Sequence, residues 1–148
     1  MPILPNQSYW EDMRLTSLAD YAVVMMAAAA RHPAGTKLSA TLLAAETGIP
    51  LPTAQKLTGR LAAAGLLETA RGTGGGFRLA RQAGEISLAD IVEAMEGPIQ
   101  MTSCVDTERH DCALEGACQV RPHMGAVNVA LRGALQGVSL SSLAEAKP

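Results

Sequence analysis

A mostly α-helical protein with a small β-wing is the fold class the sequence predicts: a winged helix-turn-helix domain followed by a long C-terminal dimerisation helix. Three observations predict it. Two short helical stretches meet at Thr47-Gly48-Ile49-Pro50-Leu51; a strand, a glycine-rich turn and a return strand follow between Leu66 and Leu79; and Met124, Val127, Leu131, Ala134 and Val138 stand at i, i+3, i+7, i+10 and i+14 on one late helix. A length of 148 residues suits one ordinary domain, and 48% apolar with 18% charged residues is the composition of a folded chain, not a disordered one. The longest apolar run, Tyr21 to Ala30, stops at Arg31 and is too short to cross a bilayer. No basic segment precedes an apolar stretch at the start, so a cytoplasmic protein without membrane contact is expected.

Residues 1–12 read as a loosely held leader with two prolines, and Met13 offers an alternative start. A helix begins at Leu18, because Leu18, Tyr21, Ala22, Met25, Ala28 and Ala29 share a helical face, with Ser17-x-x-Asp20 as its capping box. His32-Pro33-Ala34-Gly35 ends it. Ser39 caps the next helix, which runs through Leu42, Leu43 and Ala45 to Gly48. The following helix starts near Pro52, puts Leu57, Leu61 and Ala64 on one face, and stops at Gly65. Leu66 to Ala70 and Phe77 to Leu79 form the strands of the wing around Arg71-Gly72-Thr73-Gly74-Gly75-Gly76. Ser87 caps a helix from Leu88 to Met95, which Gly97-Pro98 terminates. The winged-helix domain is therefore placed at 13–97, a cysteine-bearing loop at 98–121, and the dimerisation helix with a C-terminal tail at 122–148.

Charge separates along the chain. The net charge is −2, yet seven bases and only two acids lie between Arg31 and Arg81, a local balance of +5 that suits a polyanionic partner such as a double-stranded DNA operator. Thr53, Gln55, Lys56 and Arg60 occupy the outer side of the second helix of the pair. Arg71, Gly74, Gly75 and Arg78 surround the wing turn, where glycines let the backbone approach a groove closely. A phosphate-cradling loop is excluded for these glycines, because no Gly-Lys-Ser/Thr follows them and no helix begins there.

All three cysteines fall in the loop, as Cys104-x7-Cys112-x5-Cys118. An odd number in one short segment does not make a disulfide scaffold and points to metal or redox chemistry. The spacing lacks the Cys-x2-Cys knuckle of common structural zinc sites. Thiolates select zinc, copper(I) or iron–sulfur clusters, and a cluster usually takes four protein ligands, one more than the cysteines supply.

Met13-Arg14-Leu15-Thr16, Arg71-Gly72-x-Gly74-Gly75-Gly76-Phe77 and the three closely spaced cysteines ahead of a long helix resemble the IscR/NsrR family of iron–sulfur regulators. His110-Asp111-Cys112 and Gly137-Val138-Ser139-Leu140 are most similar to its SUF-system cluster-assembly branch. The resemblance spans Met13 to about Leu143. It implies a homodimeric winged-helix transcriptional regulator, a repressor by expectation, that senses iron–sulfur supply, oxidants or nitric oxide. By position it makes Cys104, Cys112 and Cys118 the cluster ligands, with [2Fe-2S] favoured over [4Fe-4S]. One branch has a histidine three residues after the last cysteine, where this chain has Arg121; another uses an aspartate near the start of the first helix, supplied by the other subunit, where this chain has Asp20. Asp20 is the preferred fourth ligand, with His123 and then His110 as alternatives. Pro50 and Pro52 replace the family's frequent serines, and Gln55 stands where an acidic residue discriminates, so operator sequence is not inherited; glutamine can read adenine through a bidentate contact.

Two other readings remain at this point. A winged-helix regulator sensing zinc or thiol oxidation keeps the DNA function and changes the sensor. A thiol enzyme pairing Cys118 with His123 or His110 needs an orienting group and an oxyanion site, and no local motif supplies either, so catalysis is not expected.

Overall fold

The computed structural model describes residues 15–70, 75–102, 105 and 117–145. The leader, the wing tip at 71–74 and most of the cysteine loop lie outside the described residues. Among the described residues six α-helices and a two-stranded antiparallel sheet run in the order α1 (Ser17–Ala30), α2 (Ala40–Thr47), α3 (Leu51–Ala63), β1 (Leu67–Thr69), β2 (Phe77–Leu79), α4 (Leu88–Glu96), α5 (Arg121–Gln136) and α6 (Leu140–Glu145), with one 3-10 turn at Ala83–Glu85 ahead of α4. This is the expected winged-helix architecture with its long late helix.

Helix α1 is the central element. Its alanines at 19, 22 and 27–29, together with Met25 and Met26, are buried, so α2, α3, α4 and α6 pack close to its backbone. The cap differs from the sequence expectation. Thr16, not Ser17, is the N-cap: its hydroxyl accepts from the Ala19 N–H at 3.1 Å, and its own N–H is taken by Glu96 Oε1 of α4 at 3.0 Å. Two neighbouring hydroxyl residues could each have capped this helix, and the cross-chain bond to Glu96 accompanies the earlier one. Tyr21, expected on the buried face, is 41% exposed.

Helices α2 and α3 follow their signals closely. The Ser39 hydroxyl accepts from Leu42 N–H, and α2 ends at Gly48 with φ +81°, a left-handed turn that swings the chain into α3. Pro50 and Pro52 sit at the N-cap and in the first turn of α3, where a missing N–H costs no helical hydrogen bond. Ala54, Leu57 and Leu61 face the core.

The wing pairs Leu67 with Leu79, Glu68 with Arg78 and Thr69 with Phe77. Leu38, between α1 and α2, adds a single-residue third strand, exchanging both backbone hydrogen bonds with Phe77 at 2.7 and 2.8 Å. Gly76 makes this approach possible. Its φ is +118°, and a Cβ there would lie 2.5 Å from the Leu38 carbonyl oxygen. Gly76→Ala is expected to lower stability by more than about 1 kcal/mol, from forbidden backbone geometry plus overlap with a fixed carbonyl; urea denaturation of the two proteins checks it.

Helix α4 carries a complete capping box, with Ser87 Oγ accepting from Asp90 N–H and Asp90 Oδ2 from Ser87 N–H. After α5 the chain returns to the winged-helix body. Ser139 bridges Ser87, Leu140 is fully buried, and Arg31 Nε of α1 donates to the Ala144 carbonyl of α6 at 3.1 Å. What was expected to be a tail therefore holds a short helix that completes the core. Among the described residues, no helix is long and apolar enough to cross a membrane.

Candidate nucleic-acid interface and cysteine segment

The turn at Gly48 and the wing strands define a surface on which α3 is flanked by basic residues. Gln55 and Lys56 are exposed on α3, while Thr53 is half-buried at its start. Arg60 lies one turn further on, and its Nη1 donates to the Met95 carbonyl at the end of α4, 3.2 Å away. Its guanidinium thus ties α3 to α4. Arg78 is exposed on β2 and pairs at 3.1 Å with Glu68, its cross-strand neighbour. Gly75 has φ +24°; Arg71 and Gly74 lie outside the described residues. Lys37 is a base that motif reading passed over. It sits beside the wing, its aliphatic chain covering Gly76, in a concavity shared with Glu68, Thr69 and Arg78. Its only sequence signal was its share in the basic segment.

Of the sensor residues, Cys118 is half-buried just ahead of α5, and His123 is exposed in the first turn of that helix. Cys104, Cys112 and His110 lie outside the described residues. Among the described residues no three histidine, cysteine or acidic side chains gather as a metal site. Asp20 is exposed on α1, one position beyond the residue whose N–H the Thr16 cap engages, and no hydrogen bond or ion pair among the described residues holds its carboxylate. The capping role that would have explained this acid is filled by Thr16 and Glu96.

The entry to the cysteine segment is firmly built. Asn128 of α5 is the one buried polar residue among those described, at 8% exposure. Its Oδ1 accepts from Met101 N–H at 2.9 Å and its Nδ2 donates to the Ile99 carbonyl at 3.0 Å. One turn along α5, Arg132 contacts Glu93 Oε1 of α4 through Nε at 2.9 Å and Nη2 at 2.7 Å, while Glu93 Oε2 accepts from Ile99 N–H at 3.3 Å. Sequence reading missed this group, since the apolar period of α5 registers only its hydrophobic positions.

The apolar stripe of α5 beside Asn128 is partly uncovered. Val127 is 46% exposed and Ala134 is exposed, while Met124, Leu131 and, just beyond the helix, Val138 are half-buried; Val129, off this stripe, is 72% exposed. Two of the five positions expected to form a dimer seam are thus exposed within one chain, and three are half-buried.

Comparison with known proteins places these features in context. The Rrf2 family, described as an iron-dependent transcriptional regulator, matches residues 15–146. Protein aau3 of Rhizobium meliloti is 36% identical over 137 residues, 92% of this chain and 88% of that protein. The HTH-type transcriptional regulator NsrR of Shouchella clausii is 32% identical, covering 84% of this chain and 81% of its own length. Among solved structures, CymR, the global cysteine regulator of B. subtilis, superposes with a TM-score of 0.69 over 93% of this chain and all of that one, and T. potens IscR with 0.65 over 91% and 89%. Their identities of 21% and 23% make this a likeness of fold.

Proposed function

The chain belongs to the Rrf2 family of transcriptional regulators, and on that premise we propose that it is a homodimeric repressor whose operator binding is set by an iron–sulfur cluster on Cys104, Cys112 and Cys118, with Asp20 of a second copy as fourth ligand. DNA binding and gene regulation come with the family; the chain is a regulator and not an enzyme.

The observation that carries the ligand assignment is the cap of α1. With Thr16 and Glu96 engaged at the helix terminus, the exposed Asp20 carboxylate has no hydrogen-bond or ion-pair partner among the described residues, which supports its assignment to a metal. The donor set fits an iron–sulfur group: three thiolates in one segment, one of them the half-buried Cys118, and one oxygen donor. A bound cluster would supply a centre sensitive to oxidants and nitric oxide. An oxygen ligand suits iron less well than a thiolate, so the site would be labile. Because Asp20 stands on the central helix of the DNA-binding unit, ligation across the dimer would link the sensor to the position of α3. Asp20→Asn is expected to alter the visible spectrum of anaerobically purified protein, whereas His123→Ala and His110→Ala leave it unchanged. Loss of the native spectrum in a histidine variant alone would assign the fourth ligand to that histidine.

On the DNA side, α3 enters the major groove and the wing approaches the neighbouring minor groove. Arg71→Ala is expected to weaken binding to all sequences and to lower the salt slope by about 1, and Gln55→Ala to relax base preference at one position by about 1–3 kcal/mol. Salt-resolved titrations of the operator check both; unchanged curves for the two variants would overturn this docking.

A further inference from the structure

We propose that Asn128, with Arg132 and Glu93, is a latch that fixes the stem of the cysteine segment and converts the state of the cysteines into a setting of the recognition helix. Resting on the regulator reading above, it concerns residues that neither ligate a metal nor touch DNA.

Three backbone groups of the stem are held by side chains. Ile99 N–H goes to Glu93 of α4, and Ile99 C=O and Met101 N–H both go to the amide of Asn128 on α5. A side-chain amide that bonds the carbonyl of one residue and the N–H of the second residue after it pairs as a neighbouring strand would, so the stem is fixed in register and not merely packed. Packing alone would not need this arrangement. Val92, Leu131 and Leu135 line one groove with the stem, and an apolar residue at 128 would serve burial as well. Glu93 and Arg132 join the two helices on either side, so a shift of the stem pulls on α4 and α5 together. Arg60 then carries α4 to α3 through its bond to the Met95 carbonyl. Cys104 follows Met101 by three residues in the chain, so the latched stem leads directly into the segment that bears the thiolates.

The path is therefore continuous: stem, Asn128 and Glu93, α4, Arg60, recognition helix. Both helices beside the stem have a task in the regulator, since α5 offers the apolar seam and α4 braces α3.

The test measures operator affinity of the full chain in two cysteine states, reconstituted anaerobically with iron and sulfide, and stripped by chelator under reducing conditions. Wild type is expected to show at least about a tenfold difference between them, within the usual range of coupling between sites. Asn128→Leu, which removes both amide bonds and keeps the volume, should fold, take up iron and sulfide, and show a difference within about twofold. Hydrogen exchange at the Met101 amide should rise in the same variant. Retention of the wild-type difference with a filled site would overturn the latch and leave the cluster reading standing. If wild type takes up no iron and sulfide, the cluster reading falls instead, and the same comparison is made between free and alkylated thiols, where a difference that survives in Asn128→Leu again overturns the latch. Glu93→Gln provides the second variant should Asn128→Leu fail to fold; a wild-type affinity difference in it has the same meaning.

Discussion

Replacing Cys118 with alanine is expected to give a protein that folds and dimerises but has lost its visible absorbance and nearly all of its iron. Cys118 is half-buried ahead of α5 and is not part of the hydrophobic core, so its removal should change stability by no more than about 0.5 kcal/mol. The cluster is another matter. Four ligands are the norm, the chain has three thiolates to give, and an alanine would leave the cluster with two thiolates and one oxygen. Cys104→Ala and Cys112→Ala are expected to do the same. Operator binding should then become insensitive to oxidants and nitric oxide, fixed at the level of the cluster-free wild type. A coloured Cys112→Ala protein with undiminished iron would remove that residue from the ligand set.

Val127→Glu is expected to be as damaging to DNA binding as the cysteine variants are to sensing. Val127 is exposed in the apolar stripe of α5, a helix about 24 Å long at 1.5 Å per residue. In a two-fold dimer each substitution meets the seam twice, and a carboxylate left unpaired in an apolar contact costs several kcal/mol. The dimer should dissociate at micromolar concentration, and operator affinity should fall at least about 100-fold because the two half-sites are no longer engaged together. Stability of the monomer should be nearly unchanged, since the side chain is exposed within one chain. Sedimentation equilibrium beside operator titration reads both effects; a Val127→Glu protein that stays dimeric would place the seam elsewhere.

The sequence carried most of the fold because its turns are chemically explicit. Ser39, Gly48, Gly65 and Ser87 each mark a helix end by local chemistry, and each was found where it was read. The start of α1 was misplaced by one residue because Thr16 and Ser17 are both competent caps, and the bond to Glu96 joins residues eighty positions apart. Leu38 was illegible as a strand, since one bridging residue has no period. The helix at 140–145 was equally hidden: it is six residues long and rests on tertiary packing of Leu140 against the core.

The functional surface divides in the same way. The basic segment, the glycine turn and the cysteine spacing are compositional and could be read directly. Whether a given base is free for DNA is not. Arg60 looked outward on a helical wheel, yet its guanidinium is bonded to the end of α4. Lys37 lay outside both motifs but is brought to the wing by the bridge of its neighbour Leu38. Asn128 was invisible to the apolar stripe beside it, because a buried polar residue is recognised only by its partners, and those partners are backbone groups of a distant loop.

The most direct test of the cluster-sensing account is the iron, sulfide and zinc content of the anaerobically purified chain, read together with its visible spectrum. Iron and sulfide in comparable amounts with visible absorbance are the predicted result, and a colourless protein holding zinc, or no metal at all, would contradict it.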